Sequence, residues 1–370
     1  QTWWPNWGPS SMDQGGAGGS EEAVIFLSEE LQRLDSYHVE VYTNPKKEEW
    51  GVHPKTNVSW YPLESYDQSS FRKQQQRPSP FVAESAPSTE APPVSLSLLS
   101  PLSPPPPPCD IFVSWRYHIS MFAGDDSRSL RYLWLQDISS RFKEQYTKDF
   151  TSSLNGVFVL SHFHAEHGLP RHLLTTKIAP KTAPKTASKT RSKTRSKTRS
   201  KTTITPNGLD ARYYVENGSN SNSHFIYASA PNRGLREVLL AWHIIRKHVP
   251  NAILSVYYGF TNSFMKYGKS TIPQFDIWYT EMLELLKQEG VTYYGMVNHH
   301  VLANAYAEAG FYLYPTIFPE TGCVALMKAM ALGAIPITSR NPNSTLPELT
   351  KHWDLGPRRM EERRAEVALD

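Results

Sequence analysis

Residues 311–338 read FYLYPTIFPETGCVALMKAMALGAIPIT. Phe311–Tyr314 is a short apolar run of strand character, Cys323–Leu332 spaces its apolar residues like a helix, and Ala334–Thr338 is apolar and extended again. A strand, a helix and a second strand at this spacing make a right-handed crossover between parallel neighbours. The same alternation runs backwards through the chain. Strands are predicted at 225–229, 252–258 and 291–296, and helices at 234–249, 275–288 and 299–308. In the first of these helices Leu235, Val238, Leu239, Trp242 and Ile245 fall on one face. Together they predict a doubly wound α/β domain. The N-terminal half predicts a second, more interrupted α/β unit. It has a helix at 21–34 behind the glycine-rich run Gln14–Ser20, and strands at 38–43, 110–114, 133–135 and 156–161.

The 370 residues suffice for about two domains. Only two cysteines, Cys109 and Cys323, are present, which excludes a disulfide-stapled scaffold. No run of 18 apolar residues occurs, so no spanning helix is expected. The formal charge of +4 hides an uneven distribution. Ala179–Thr202 repeats a four-residue unit (APKT, ASKT, RSKT) six times and carries six Lys, three Arg and no acid. Without it the chain is at −5, so the folded body is expected to be acidic. A second biased segment, 64–108, holds 11 of the 29 prolines and no glycine, and reads as disordered or polyproline II. The expected organisation is an N-terminal domain over 1–170 interrupted by 64–108, and a basic low-complexity linker over 171–203. A C-terminal domain over 204–350 and a charged tail over 351–370 follow. The chain begins with Gln1 rather than Met, so the N-terminus is expected to be incomplete. A cytoplasmic or membrane-peripheral location is favoured.

Open parallel sheets bind ligands outside the carboxyl ends of their strands. Four segments occupy such turns. Gly15–Gly19 opens a helix, where bare amides and the helix dipole suit a phosphate; an isolated glycine run reads equally well as a plain loop. In Ser229–Leu235, Arg233 stands at a helix start against the dipole, a placement that asks for an anionic partner; the alternative is an exposed surface arginine. In 319–333, Glu320 precedes a helix whose start offers the amides of Gly322 and Cys323, while Lys328 lies further inside; an acidic helix start is also simply stabilising. Ser161–His167 holds three histidines, but H-x-H-x-x-H without a nearby cysteine fits no strong zinc spacing, and a polar loop is expected.

FPETGCVALMKAMALGAIPI resembles the signature of retaining glycosyltransferases of the GT-B fold, the glycosyl transferases group 1 family. Supporting segments are GGSEEAVIFLSEEL, VFVLSHFH, TPNGLD and ASAPNRGL. The resemblance implies two Rossmann-like domains facing across a cleft, with a nucleotide-sugar donor on the C-terminal one and an acceptor of unknown class on the other. It implies that Arg233 neutralises the diphosphate and Glu320 binds the transferred sugar. Gly18, Gly19, Gly322 and Cys323 would lie near phosphate, and Met296 and Val297 near the nucleobase. No metal or other cofactor is implied. Arg116 and His118, in WRYH, are possible cleft residues.

The family's second signature glutamate, which meets the ribose, is Lys328 here, so the signature is Glu-x7-Lys. An ammonium accepts no hydrogen bond. This departure keeps a second reading open, a catalytically weak GT-B protein that binds a nucleotide-sugar or glycan. A third is polyanion binding through the basic repeat; nucleic acid is not expected as a partner, because the repeat lacks interleaved aromatics.

Overall fold

A computed structural model describes residues 6–14, 17–65, 110–116, 129–138, 147, 151–152, 154–174, 202–213 and 218–351. The polyproline run, nearly all of the basic repeat, the tail beyond Lys351, His118 and two of the run's glycines, Gly15 and Gly16, lie outside the described residues.

The N-terminal half begins with α1 (Ser11–Gln14) and α2 (Gly19–Arg33), followed by β1 (Glu40–Thr43), β2 (Gly51–Val52) and β3 (Ser59–Pro62). These strands form a small sheet of order β1-β3-β2, with β1 and β3 parallel. Ile25 of α2 packs beneath it with Trp7, Met12, Val58 and Trp60. A four-stranded sheet follows, β4 (Ile111–Trp115), β5 (Leu130–Trp134), β6 (Gly156–Val159) and, after α3 (His162–Gly168), β7 (Thr202–Ile204). Its order is β4-β5-β6-β7 and every pairing is parallel.

Two features here differ from the sequence expectation. The histidine segment is helix α3, not a polar loop: the Ser161 hydroxyl accepts from the His164 amide at 3.0 Å and so caps the helix. His164 is fully buried, and its two ring nitrogens face the Leu160 amide and the Asp137 carbonyl. The boundary expected at residue 204 falls inside β7. The β-branched run Thr202-Thr203-Ile204 extends along Val157–Val159 as the edge of the N-terminal sheet, and the basic repeat therefore enters between α3 and β7.

The C-terminal half contains β8 (Ser221–Ser229), α4 (Leu235–His248), β9 (Ile253–Tyr258), α5 (Asn262–Thr271), α6 (Phe275–Leu285) and β10 (Val291–Gly295). It continues with α7 (His299–Glu308), β11 (Ala309–Tyr314), α8 (Val324–Ala331), β12 (Ile335–Thr338) and α9 (Leu346–Thr350). The five strands form one parallel sheet of order β10-β9-β8-β11-β12. The chain winds from β8 outward through β9 and β10, then returns to the other side of β8 for β11 and β12. The winding direction reverses between β8 and β11, which opens a crevice at their carboxyl ends.

Burial follows the periodicity. Leu235, Val238, Leu239 and Trp242 of α4 are buried against the sheet. The Trp242 indole meets Phe225 edge-on at 5.7 Å and donates to the Glu289 carbonyl at 3.0 Å. Helix α5 was not expected, because Asn262–Thr271 carries Gly268 and several poor helix formers. The Thr261 hydroxyl starts it by accepting from the Phe264 amide, and Phe264, wholly buried, anchors it.

Gly234 ends the turn before α4 at φ 104°, and a Cβ there would come within 2.8 Å of the Pro315 carbonyl oxygen. Gly234→Ala is expected to lower stability by about 1–3 kcal/mol, read as a reduced urea midpoint with an unchanged slope.

Candidate functional site

Arg233 lies on the loop after β8 and Glu320 on the loop after β11, so the two flank the crevice. The turn holding Arg233 is closed by its own amide, which donates to the Ala230 carbonyl at 2.9 Å. Glu320 is fixed from behind, where its carbonyl accepts from the Thr345 amide at 2.8 Å. The two side chains meet: Arg233 Nη1 is 2.8 Å from Glu320 Oε1. The Tyr314 hydroxyl donates to the same oxygen and itself accepts from Ser229 Oγ at 3.2 Å. The guanidinium lies 3.8 Å above the Phe318 ring, a cation–π contact. Glu320 keeps 9% of its side-chain surface and Arg233 31%, so the pair is held by the protein but open on one side.

Burial works against the Arg233 charge, but Glu320 and Tyr314 outweigh it and hold its pKa above the ordinary value. Arg233 is thus a permanent cation. Burial, helped by Glu320, pushes the Cys323 thiol up, so Cys323 stays protonated and serves as packing rather than as a nucleophile. The arrangement sets a fixed cation beside a fixed carboxylate at a crevice. An anion that engages Arg233 competes with Glu320, and the Glu320 oxygen so released can accept from a hydroxyl instead.

The expected phosphate-binding segments also come together. Gly19, the first residue of α2, faces Val324 of α8 so closely that a Cβ would sit 3.1 Å from that side chain. A Cβ on Gly322 would lie 2.8 Å from Leu160, at the end of β6. Thr321 Oγ1 donates to the Gln136 carbonyl at 2.6 Å, and Ser161 Oγ donates to the Thr321 carbonyl at 2.8 Å. The start of α8, with Gly322 and Cys323, therefore packs onto the N-terminal half beside Gly18 and Gly19.

Lys328 takes a different place. Its Nζ lies 2.7 Å from Glu22 Oε1 on α2 and 3.0 Å from His299 Nδ1 on α7. Burial raises the pKa of Glu22 and Lys328 lowers it, the net shift being upward. Burial, with Lys328 and His300 adding to it, pushes His299 down to about 3, so the ring is neutral and its Nδ1 accepts from the ammonium. Arg116 follows β4, pairs with Glu21 of α2 at 2.9 Å and with Asp137, and lies over Trp115. The first turn of α2 thus sends one buried acid to each half of the chain. Met296 and Val297 are half-buried after β10, with Val297 packed on the C-terminal core. Arg233 and Glu320 bond to each other and to Tyr314 instead.

Sequence reading missed Glu21, Glu22, Tyr314, Phe318 and Asp137, and it took His299 as a solvent or cleft residue, whereas His299 is buried against Lys328. Acids in a first helical turn read as dipole partners, and Tyr314 and Phe318 read as core, so none carried a distinguishing signal.

No known protein-family profile matches the chain, and no curated protein matches it. Solved structures do. AviGT4, a glycosyltransferase involved in avilamycin A biosynthesis, matches with a TM-score of 0.53 at 13% identity, over 94% of this chain and 79% of that one. A glycosyltransferase from Rickettsia africae gives 0.54 at 13% identity, over 89% and 78%. Anabaena HepE, in complex with UDP and glucose, gives 0.52 at 12% identity, over 89% and 79%. Of the longer pneumococcal GtfA and S. aureus TarM structures this chain spans only 39% and 42%. The chain has the GT-B fold, with Rossmann-like parallel sheets, that these glycosyltransferases share. Among the described residues, no helix is long and apolar enough to cross a membrane.

His299, held near 3, and His164, which burial lowers to about 4, bind fewer protons folded than unfolded below about 6.5. Each therefore adds stability above pH 6.5 that is lost as pH falls toward its folded value, at up to about 1.4 kcal/mol per pH unit. Glu21 and Glu22, raised by burial, act in the opposite sense. The His299→Asn variant is expected to lose less stability than wild type between pH 6.5 and 4, measured as urea midpoints across that range.

Proposed function

We propose that the protein is a glycosyltransferase that moves a sugar from a nucleotide-sugar to an acceptor with retention of anomeric configuration. One observation carries this reading: a permanent cation and a carboxylate, 2.8 Å apart, on the two loops that flank the sheet's switch point. A diphosphate is the anion that suits both Arg233 and the amides at the start of α8. With Arg233 engaged, Glu320 accepts from hydroxyls of the sugar. As the anomeric carbon–oxygen bond breaks, Arg233 stabilises charge growing on the leaving diphosphate oxygen. That oxygen then takes the proton of an acceptor hydroxyl attacking the same face. No metal enters this scheme, and turnover is expected to persist in a chelator. The shared fold with Anabaena HepE, whose structure holds UDP and glucose, supports a donor of this kind.

The Lys328–Glu22 pair favours one second reading. The ammonium is held inside the protein by Glu22 and His299, which leaves Lys328 no role toward a ribose and suits a protein that binds donor with little turnover.

A screen of UDP-, GDP- and ADP-sugars, with binding and hydrolysis read separately, distinguishes the two. Wild type is expected to hydrolyse at least one donor, and Glu320→Gln to reduce that rate by roughly 100-fold or more at temperatures where its melting curve shows the variant still folded. Binding without hydrolysis selects the second reading. Absence of both removes the nucleotide-sugar reading altogether.

A further inference from the structure

Glu320 Oε1 takes two donors, Arg233 Nη1 at 2.8 Å and the Tyr314 hydroxyl at 2.5 Å. The two are held differently. Arg233 reaches the carboxylate from a loop, on a long side chain that keeps 31% of its surface, and is the donor that a ligand can draw away. Tyr314 is the last residue of β11, paired with Thr338 of β12, and is wholly buried. Its ring packs against Tyr227 of β8 and Tyr312 of β11, with centroids 6.2 and 5.7 Å away, and its oxygen accepts from Ser229 Oγ at 3.2 Å. Ring and hydroxyl are thus both fixed. Burial, with Glu320 adding to it, raises the Tyr314 pKa well above the ordinary value, so the hydroxyl keeps its proton and donates.

This asymmetry matters when a ligand arrives. An anion that takes Arg233 leaves a carboxylate with only 9% of its side-chain surface exposed and no cation on Oε1. A buried carboxylate stripped of its donors is costly and turns toward any other it can reach. The phenol is the donor that stays. It belongs to a chain of hydrogen bonds, Ser229 to Tyr314 to Glu320, that spans β8 and β11, the two strands between which the winding reverses. With Oε1 kept by Tyr314, the carboxylate holds its plane while Arg233 moves.

We infer that Tyr314 is a positioning residue: its hydroxyl, anchored by Ser229, holds the Glu320 carboxylate in place once Arg233 has turned to the diphosphate, so that Glu320 meets the hydroxyls of the transferred sugar. Tyr314 acts on the donor through Glu320 alone. The inference rests on the nucleotide-sugar reading above.

Calorimetric titration of UDP, GDP and ADP, and of UDP-glucose, UDP-N-acetylglucosamine, GDP-mannose and ADP-glucose, tests it in wild type, Tyr314→Phe, Glu320→Gln and the two combined, with melting temperatures alongside. In wild type a nucleotide-sugar is expected to bind more tightly than its own nucleoside diphosphate, and the ratio of affinities measures what the sugar's contacts add. Tyr314→Phe is expected to bind the nucleoside diphosphate within about threefold of wild type and the nucleotide-sugar roughly tenfold more weakly. Added to Glu320→Gln, the same change is expected to move the ratio by less than about twofold, because the residue it acts through is already altered. A merely structural role would lower both affinities together. Should Tyr314→Phe fold poorly, Ser229→Ala combined with Tyr314→Phe leaves no serine hydroxyl unpaired and is expected to show the same loss. Unchanged nucleotide-sugar affinity in the folded variant, an equal loss for both kinds of ligand, the same loss in the Glu320→Gln background, or a wild type in which the sugar adds nothing overturns the inference while nucleotide binding stands. If wild type binds none of these ligands, the functional reading fails and the inference fails with it.

Discussion

The ion pair between Arg233 and Glu320 depends on topology before it depends on chemistry. The two residues are 87 positions apart and meet only because the chain reverses its winding between β8 and β11. Each belongs to a loop fixed by other means, a turn closed by Gly234 on one side and an anchor to Thr345 on the other. The protein thereby holds a cation and an anion together at an open edge, where each satisfies the other until a ligand separates them. Partly desolvated pairs of this kind add little net stability. What they provide is a preorganised site, with donors and acceptors already in place for a ligand that carries both kinds of partner.

Helix α2 joins the two halves by a related device. Glu21 goes to Arg116 and Glu22 to Lys328, both acids nearly lost from solvent. Their raised pKa values show that burial costs more than the basic partners return. A glycine at the helix start lets α2 press against Val324. Lys328 thus reads less as a lost ligand than as one side of a contact between the halves. This explains how a cation is accommodated at a position where the resembled family carries an acid.

The strand and helix pattern after residue 220 was legible because apolar spacing alone sets it: α7 runs from His299 to Glu308 as expected, and β11 and α8 fall within one or two residues. Arg233 could be singled out because a cation at a helix start stands against the dipole, and Glu320 because it opens the segment that resembles a family signature. β3 was not, since four residues ending in Pro62 offer little alternation, and its partners come from distant sequence. α3 was not, since its stability comes from a buried His164 that has no local signature. The role of Lys328 could not be read either, because its partners Glu22 and His299 lie 306 and 29 residues away.

The central claim is that Glu320 and an anionic ligand compete for Arg233. Calorimetric binding of a nucleoside diphosphate that carries no sugar, to wild type and Glu320→Gln, tests it most directly. Release of Arg233 predicts tighter binding in Glu320→Gln than in wild type. Equal or weaker binding in the variant would contradict the account.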